Sequence, residues 1–231
     1  MKKINLFFCF LFFSLYSYGQ NIPGNFYVDF GATMWQDDKG LELETQSRSI
    51  SLAYMYELVL DKNGQFTFNP GVGYTADNLF FKQGKTLVND GSNTVPVDPN
   101  PAHGTRISTR KSKIVGNYLD IPLEFRFRNH PGRNAFRLAI GAKLSMLVDS
   151  HTKVKYEDQN GDVRVSKDKG DFNMNFFKAG LVGRIGYGWI NFFCYYGLTN
   201  TFESGKLLNT DGTAFTGTDR PITIGITVSN F

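Results

Sequence analysis

Acid–base chemistry by an imidazole in this chain would have to use His103, His130 or His151, and only His151 has a hydroxyl and a carboxylate beside it, in Asp149-Ser150-His151. Those three groups are the ones a hydrolase needs: a nucleophilic oxygen, a base, and a carboxylate that orients the base. Adjacent residues on a strand point to opposite faces, so Ser150 and His151 diverge if the segment is extended. No His-x-Ser spacing brings both groups to one side. The segment reads as a polar rim, with a lipid-modifying hydrolase kept as the alternative. His103 lies in a Pro-rich stretch and His130 in a short turn, which places them at opposite ends of the molecule.

Two other chemical patterns reduce to local structure. Asp158-Gln159-Asn160-Gly161-Asp162 has the start of a calcium loop but lacks the glutamate at its end, and reads as a hairpin tip. Gly180, Gly183, Gly186 and Gly188 precede no helix, so they cradle no phosphate and read as small residues relieving crowding. No cofactor or metal is expected.

The elements that position these residues are strands. Period-2 alternation recurs along the 231 residues, and helical periodicity does not. Phe26, Val28, Phe30, Ala32 and Met34 alternate with Tyr27, Asp29, Gly31, Thr33 and Trp35; Leu119, Ile121, Leu123, Phe125 and Phe127 alternate with Asp120, Pro122, Glu124, Arg126 and Arg128. Similar runs begin near Ser49, Gln65, Phe136, Phe177, Trp189 and Ile222, which predicts eight strands of about ten residues. Short connections at 61–64, 129–134 and 186–188 alternate with long ones at 36–46, 77–110, 150–170 and 203–219. Residues 89–105, with Pro96, Pro99 and Pro101, are expected to hold no regular structure. Segments 151–156 and 163–167 are expected to extend strands five and six as a hairpin.

Alternation alone leaves open which face is inside. An exported carrier of the lipocalin kind would keep the apolar face inward, whereas an outer-membrane barrel turns it to lipid. The polar series carries both signs of charge: Asp29, Glu57, Asp120 and Glu124 against Arg126, Arg128, Arg137, Lys143, Lys178 and Arg184. Such a set can pair within a narrow lumen filled by side chains. The apolar series is bulky and almost uncharged, and Phe26, Tyr74, Tyr118, Tyr187, Trp189 and Tyr196 near strand ends suit the aromatic girdles of a bilayer. The expected fold is all-β, a closed eight-stranded antiparallel up-and-down transmembrane barrel. Eight strands favour a lumen plugged by its charges over a small passive pore.

Composition fits export and excludes a nucleic-acid role. Lys2 and Lys3, an apolar run, and small residues at Ser17 and Gly19 predict a signal peptide over 1–19, leaving a barrel over 20–231. Losing the two lysines lowers the formal charge from +4 to +2, too balanced for a nucleic-acid partner. Cys194 is then the single cysteine, so no internal disulfide forms. Both termini fall on the side of the short turns, the periplasmic side of an outer-membrane barrel.

Two features stand apart from the regular pattern. Arg106, Arg110, Lys111 and Lys113 form a basic cluster that reads either as a contact for lipopolysaccharide phosphates or as a solvated stretch. Pro70 and Pro122 fall in adjacent strands, where each removes a ladder hydrogen bond, so a bulge or weakened pairing is expected there.

The stretch Tyr118-Leu119-Asp120-Ile121-Pro122-Leu123, followed across a short turn by FRLAIGAKLSMLV, resembles the signature of the PorT-type outer-membrane barrel family of Bacteroidota. The resemblance is sharp over 118–148 and loose over 25–231. It implies an outer-membrane barrel surrounded by outer-membrane lipid, and a role through protein partners, such as an accessory subunit of a type IX-like secretion or envelope complex. The terminal Phe231, with Gly225 and Val228, resembles the signal read by the barrel assembly machinery, although Asn230 departs from it.

Overall fold

The computed structural model describes residues 24–82, 85–98, 106–132, 134–158 and 160–229. The expected signal segment, Pro99, Pro101, His103, Asn230 and Phe231 lie outside them. The described residues form β1 (Gly24–Asp37), β2 (Arg48–Tyr56), β3 (Leu58–Val59), β4 (Phe66–Phe80), β5 (Thr86–Asn89), β6 (Thr94–Val97), β7 (Arg106–Arg128), β8 (Phe136–Asp158), β9 (Val163–Lys169), β10 (Phe177–Tyr187), β11 (Ile190–Gly197) and β12 (Thr218–Ser229).

Eight of these strands make an antiparallel ring in the order β1-β2-β4-β7-β8-β10-β11-β12, with β12 returning to β1. Each strand of the ring pairs on both sides, so the wall has no free strand edge, which hydrocarbon would not tolerate. The alternation read from sequence sets the faces. Phe30, Leu52, Val72, Ile121, Ile140, Phe177, Phe192 and Ile224 point outward and are exposed, while Asp29, Ser51, Thr75, Asp120, Ala139, Lys178, Phe193 and Thr223 are buried inside. The apolar face is therefore the outer one, and an inward-facing lipocalin-like arrangement is excluded.

The girdle expected from sequence is present with one exception. Phe26, Tyr74, Tyr187, Trp189 and Tyr196 are exposed on the outer side, but Tyr118 is 0 % exposed and points into the interior. It shares the parity of Asp120 and Glu124, and that parity outweighs its position near a strand end.

The proline seam is weakened without a bulge. Pairing of β4 with β7 runs from Phe66 opposite Phe127 to Pro70 opposite Leu123, lapses at Gly71 and Val72, and resumes at Gly73 opposite Asp120 in unchanged register. Below the gap, two outward aromatic pairs span the same seam, Phe66 with Phe127 and Phe68 with Phe125, at ring separations of 5.1 and 4.9 Å. Such pairs stabilise neighbouring strands by a fraction of a kcal/mol to about 1 kcal/mol each, which offsets part of the missing ladder.

The long-loop end departs furthest from expectation. Thr86–Asn89 and Thr94–Val97 pair as a hairpin, so part of the segment expected to be irregular is β-structure, and Pro96 sits within it opposite Leu87. A two-stranded pairing tolerates proline because an outer edge needs no donor. β7 and β8 each run for 23 residues, more than twice a membrane span, and β9 pairs with the outer half of β8. The projecting blade thus has three strands. The expected hairpin of 151–156 with 163–167 forms, but its second arm is not continuous with strand six: β9 ends at Lys169 and β10 starts at Phe177. Between them Phe172 and Met174 turn into an apolar cluster, helped by Asn173 at φ 51°, and that turn prevents one continuous strand.

That cluster closes the outer mouth. Trp35, Leu41, Leu43, Leu79, Phe81, Leu87, Ile114, Tyr118, Phe172, Met174, Phe202 and Leu207 are buried together. Trp35 packs its ring edge-on against Phe81, Phe202 and Phe215, with centroids 6.1, 6.1 and 5.7 Å away. All four long connections between ring strands contribute to this core, the third through Phe172 and Met174, beyond its expected bounds of 150–170.

Candidate functional site

The lumen is filled by layers of paired side chains. Nearest the short turns, Arg128 on β7 meets Glu57 at 2.8 Å and donates to the Gly64 carbonyl at 2.6 Å. Arg137 stands directly opposite Arg128 across the β7–β8 pairing and donates to the carbonyls of Gly188 and Gly132. The two guanidiniums are thereby engaged by separate partners, and together they tie the three short turns to the wall.

The middle layer crosses the barrel. Arg184 on β10 holds Asp29 on β1 with two parallel bonds, Nη1 to Oδ1 at 2.7 Å and Nη2 to Oδ2 at 3.0 Å. Its Nε reaches Glu124 on β7 at 3.0 Å, and Arg126 binds the other oxygen of Glu124 at 2.8 Å. Arg126 also donates to the Tyr27 hydroxyl and lies over the Tyr27 ring, 4.3 Å from its centroid. Two cations and two anions balance, and each carboxylate receives a guanidinium. That satisfaction is what makes burial of four charges tolerable.

Above it, Asp120 accepts from Thr75 and from Ser145 at 2.6 Å, with Lys143 3.7 Å away. Lys178 pairs with Asp77 at 2.6 Å and lies 3.8 Å from the Tyr118 ring centroid. An internal cavity of about 20 Å³ bounded by Asp29, Asp77, Lys143 and Lys178 has room for about one water. With the apolar cap above, this interior is packed and not open.

All ten charges singled out in the sequence lie on the inner face, and nine of them take part in ion pairs, with Arg137 on carbonyls instead. Asp77 falls outside those ten because its neighbourhood resembles a loop. Its parity with Gly73 and Thr75 was the available signal. The signature residues divide by face: Asp120 and Pro122 inward, Leu119 and Ile121 outward, Leu123 half-buried. Gly225 sits opposite Gly31 and Val228 opposite Val28.

The glycine reading holds in part. A side chain at Gly180 would run into the Tyr195 ring and one at Gly186 into the Ile190 carbonyl, whereas Gly183 faces open space and relieves no crowding. Gly188, at φ 61°, serves the tight turn.

The hydrolase pattern does not assemble. His151 Nδ1 is 3.0 Å from Asp149, but Ser150 points away and donates to the Gly170 carbonyl at 2.8 Å. Burial holds the His151 imidazole below its ordinary value, against the raising effect of Asp149. His130 braces its turn, taking the Gly132 amide at 3.0 Å. Asp158 accepts the amides of Asn160 and Asp162 at 2.9 and 3.0 Å, which makes that segment a hairpin tip. Among the described residues no three His, Cys, Asp or Glu side chains group to hold a metal ion.

Two crystal structures of Ail, the attachment invasion locus protein of Yersinia pestis, are similar to this chain at 10 % identity, each covering 90 % of it and 99 % of their own length. The one in complex with the heparin analogue sucrose octasulfate has a TM-score of 0.38, and the other 0.33. No curated protein matches the chain. The family model described as "Outer membrane protein beta-barrel domain" matches residues 21–203. With an apolar outer belt, a ring of eight paired strands and that match, the chain belongs to the outer membrane protein beta-barrel domain family.

Proposed function

We propose that this outer-membrane barrel is a non-enzymatic scaffold that presents a rigid outer platform to a protein partner in the cell envelope, as an accessory subunit of a larger complex. The observation that carries this reading is the apolar core shared by the four long connections, which orders them over the barrel mouth. Loops that served only to connect strands would gain nothing from such a core, whereas a binding surface gains affinity from being ordered in advance. The β7–β8–β9 blade, standing well beyond a membrane span, adds an edge and two faces for contact. Resemblance to the PorT-type signature supports a place in a secretion machine of the type IX kind. Gly24 and Ser229, the first and last described residues, lie at the short-turn end, which supports periplasmic ends and an outward-facing cap.

The lumen network weighs against a passive pore, since guanidinium and carboxylate groups span it. The divergence of Ser150 from His151 weighs against lipid hydrolysis. Isolation from native membranes in mild detergent tests the proposal. The wild-type chain should bring down a defined envelope protein, and a variant with 153–167 replaced by a two-residue turn should lose it. A wild-type chain that runs alone under these conditions contradicts the scaffold reading.

A further inference from the structure

The outer side of the blade carries a row of cations, of which Lys113 also donates to the Asn78 side-chain oxygen. Lys113 on β7 stands directly opposite Lys153 on β8, which stands opposite Lys167 on β9, and one step further out Lys111 faces Lys155. Like charges set directly across a sheet are destabilising. The row continues round the barrel through Phe80 on β4, whose ring has Arg48 of β2 on it at 5.6 Å and Lys113 at 5.5 Å. Lys111, Lys153, Lys155 and Lys167 are exposed, and among the described residues none has a carboxylate within ion-pair distance. The acids nearby are engaged: Asp149 by Lys169 and His151, Glu157 by Arg110. Burial, and then Lys153 and Arg48, hold the Lys113 ammonium below its ordinary value, as expected where cations crowd.

The row sits above the apolar belt, separated from it on β7 by Val115 and Asn117 and on β8 by His151 and Asp149. A bulge at Asn117/Tyr118 inserts Val148 into β8, so that above it Asp149, His151, Lys153 and Lys155 take the outward side. Without that extra residue the lysines would point toward the cap. Below the bulge, a groove of about 590 Å³ opens on the outer wall between Val72, Leu119, Ile121, Leu144, Met146 and Phe177. It lies beside the lapsed pairing at Gly71 and Val72, where β4 and β7 are not bridged.

Cations over an apolar groove match one kind of occupant, an amphiphile with anionic oxygens at the boundary and hydrocarbon beneath. We infer that the Arg48–Lys113–Lys153–Lys167 row and the groove below it form a binding site for a phosphorylated lipid of the outer leaflet, the phosphates on the row and an acyl chain in the groove. Lysines serve phosphate as point charges, and several at the membrane surface act together.

The test uses the full chain purified in neutral detergent, folded as judged by its heat-dependent gel shift. It is titrated with lipid A (a phosphorylated acyl-disaccharide), with the same lipid after removal of its phosphates, and with inorganic phosphate. The wild-type chain should bind lipid A saturably, the dephosphorylated lipid at least about tenfold more weakly, and inorganic phosphate weakest of the three. Lys113→Gln/Lys153→Gln/Lys167→Gln should lose on the order of a hundredfold, and Lys153→Arg should retain binding. Should the triple variant not fold, Lys153→Gln alone, at an exposed position, should lose about fivefold. Equal binding of both lipids, or unchanged binding by every Lys→Gln variant, overturns the site. Inorganic phosphate binding as tightly as lipid A assigns the row to a free anion and overturns the lipid.

Discussion

Arg184 and Asp29 face each other from β10 and β1 across the barrel, joined by two bonds of 2.7 and 3.0 Å. Their strands stand three places apart in the ring, so the pair braces walls that the hydrogen-bond ladder does not connect directly. Glu124 extends the brace to β7, and four buried charges of zero sum fill the middle of the lumen.

Removing one partner strands the other. Asp29→Asn or Glu124→Gln should each destabilise the barrel by about 3–5 kcal/mol, because a buried guanidinium is left short of charge. Urea midpoints of the gel-shifted form in detergent read this out. Asp29→Asn combined with Arg184→Gln should cost less than the two single losses added. Strictly additive losses would mean that the pair does not act as a unit.

The cap should yield separately from the barrel. Phe81 is 0 % exposed within the apolar cluster, and Phe81→Ala should cost about 3–5 kcal/mol locally. Protease cleavage within 38–47 and 198–217 should become fast while the heat-dependent gel shift stays. Loss of the gel shift together with the cap would show that the two are one cooperative unit.

The blade should loosen in mild acid. His151 is held below its ordinary value by burial; Asp149 opposes this, while Lys167 on β9 and Lys113 on β7 reinforce it. The unfolded blade therefore takes up a proton first. The penalty is absent above about pH 6.5, grows as pH falls below it, and levels off once folded His151 is protonated. Asp149, held low chiefly by Lys169, does not titrate in that window. Amide exchange over 151–156, corrected for its intrinsic pH dependence, should show weaker protection at pH 5 than at pH 7, and His151→Gln should remove the difference.

What was legible in the sequence was whatever depends on parity. Strand number, the outward apolar face and the inward charges all follow from period-2 alternation, which is local. Parity also held the information about Tyr118 and Asp77, but a girdle-like position and a loop-like neighbourhood outweighed it. The cap had no local signal. Phe172 and Phe202 are isolated apolar residues in polar surroundings, Trp35 and Phe81 sit at the ends of apolar runs, and only the ring of strands brings them together. The β5–β6 hairpin was hidden by Pro96, whose missing donor matters in a central strand and not at an edge.

The ionic layer across the middle of the barrel and the apolar core over its mouth together fill its passage. Conductance of the purified chain in a planar bilayer tests it most directly. The account predicts no stable conductance steps for the wild-type chain, and their appearance only when Glu124→Gln is combined with Phe81→Ala. Steady ohmic steps from the folded wild-type chain would contradict it.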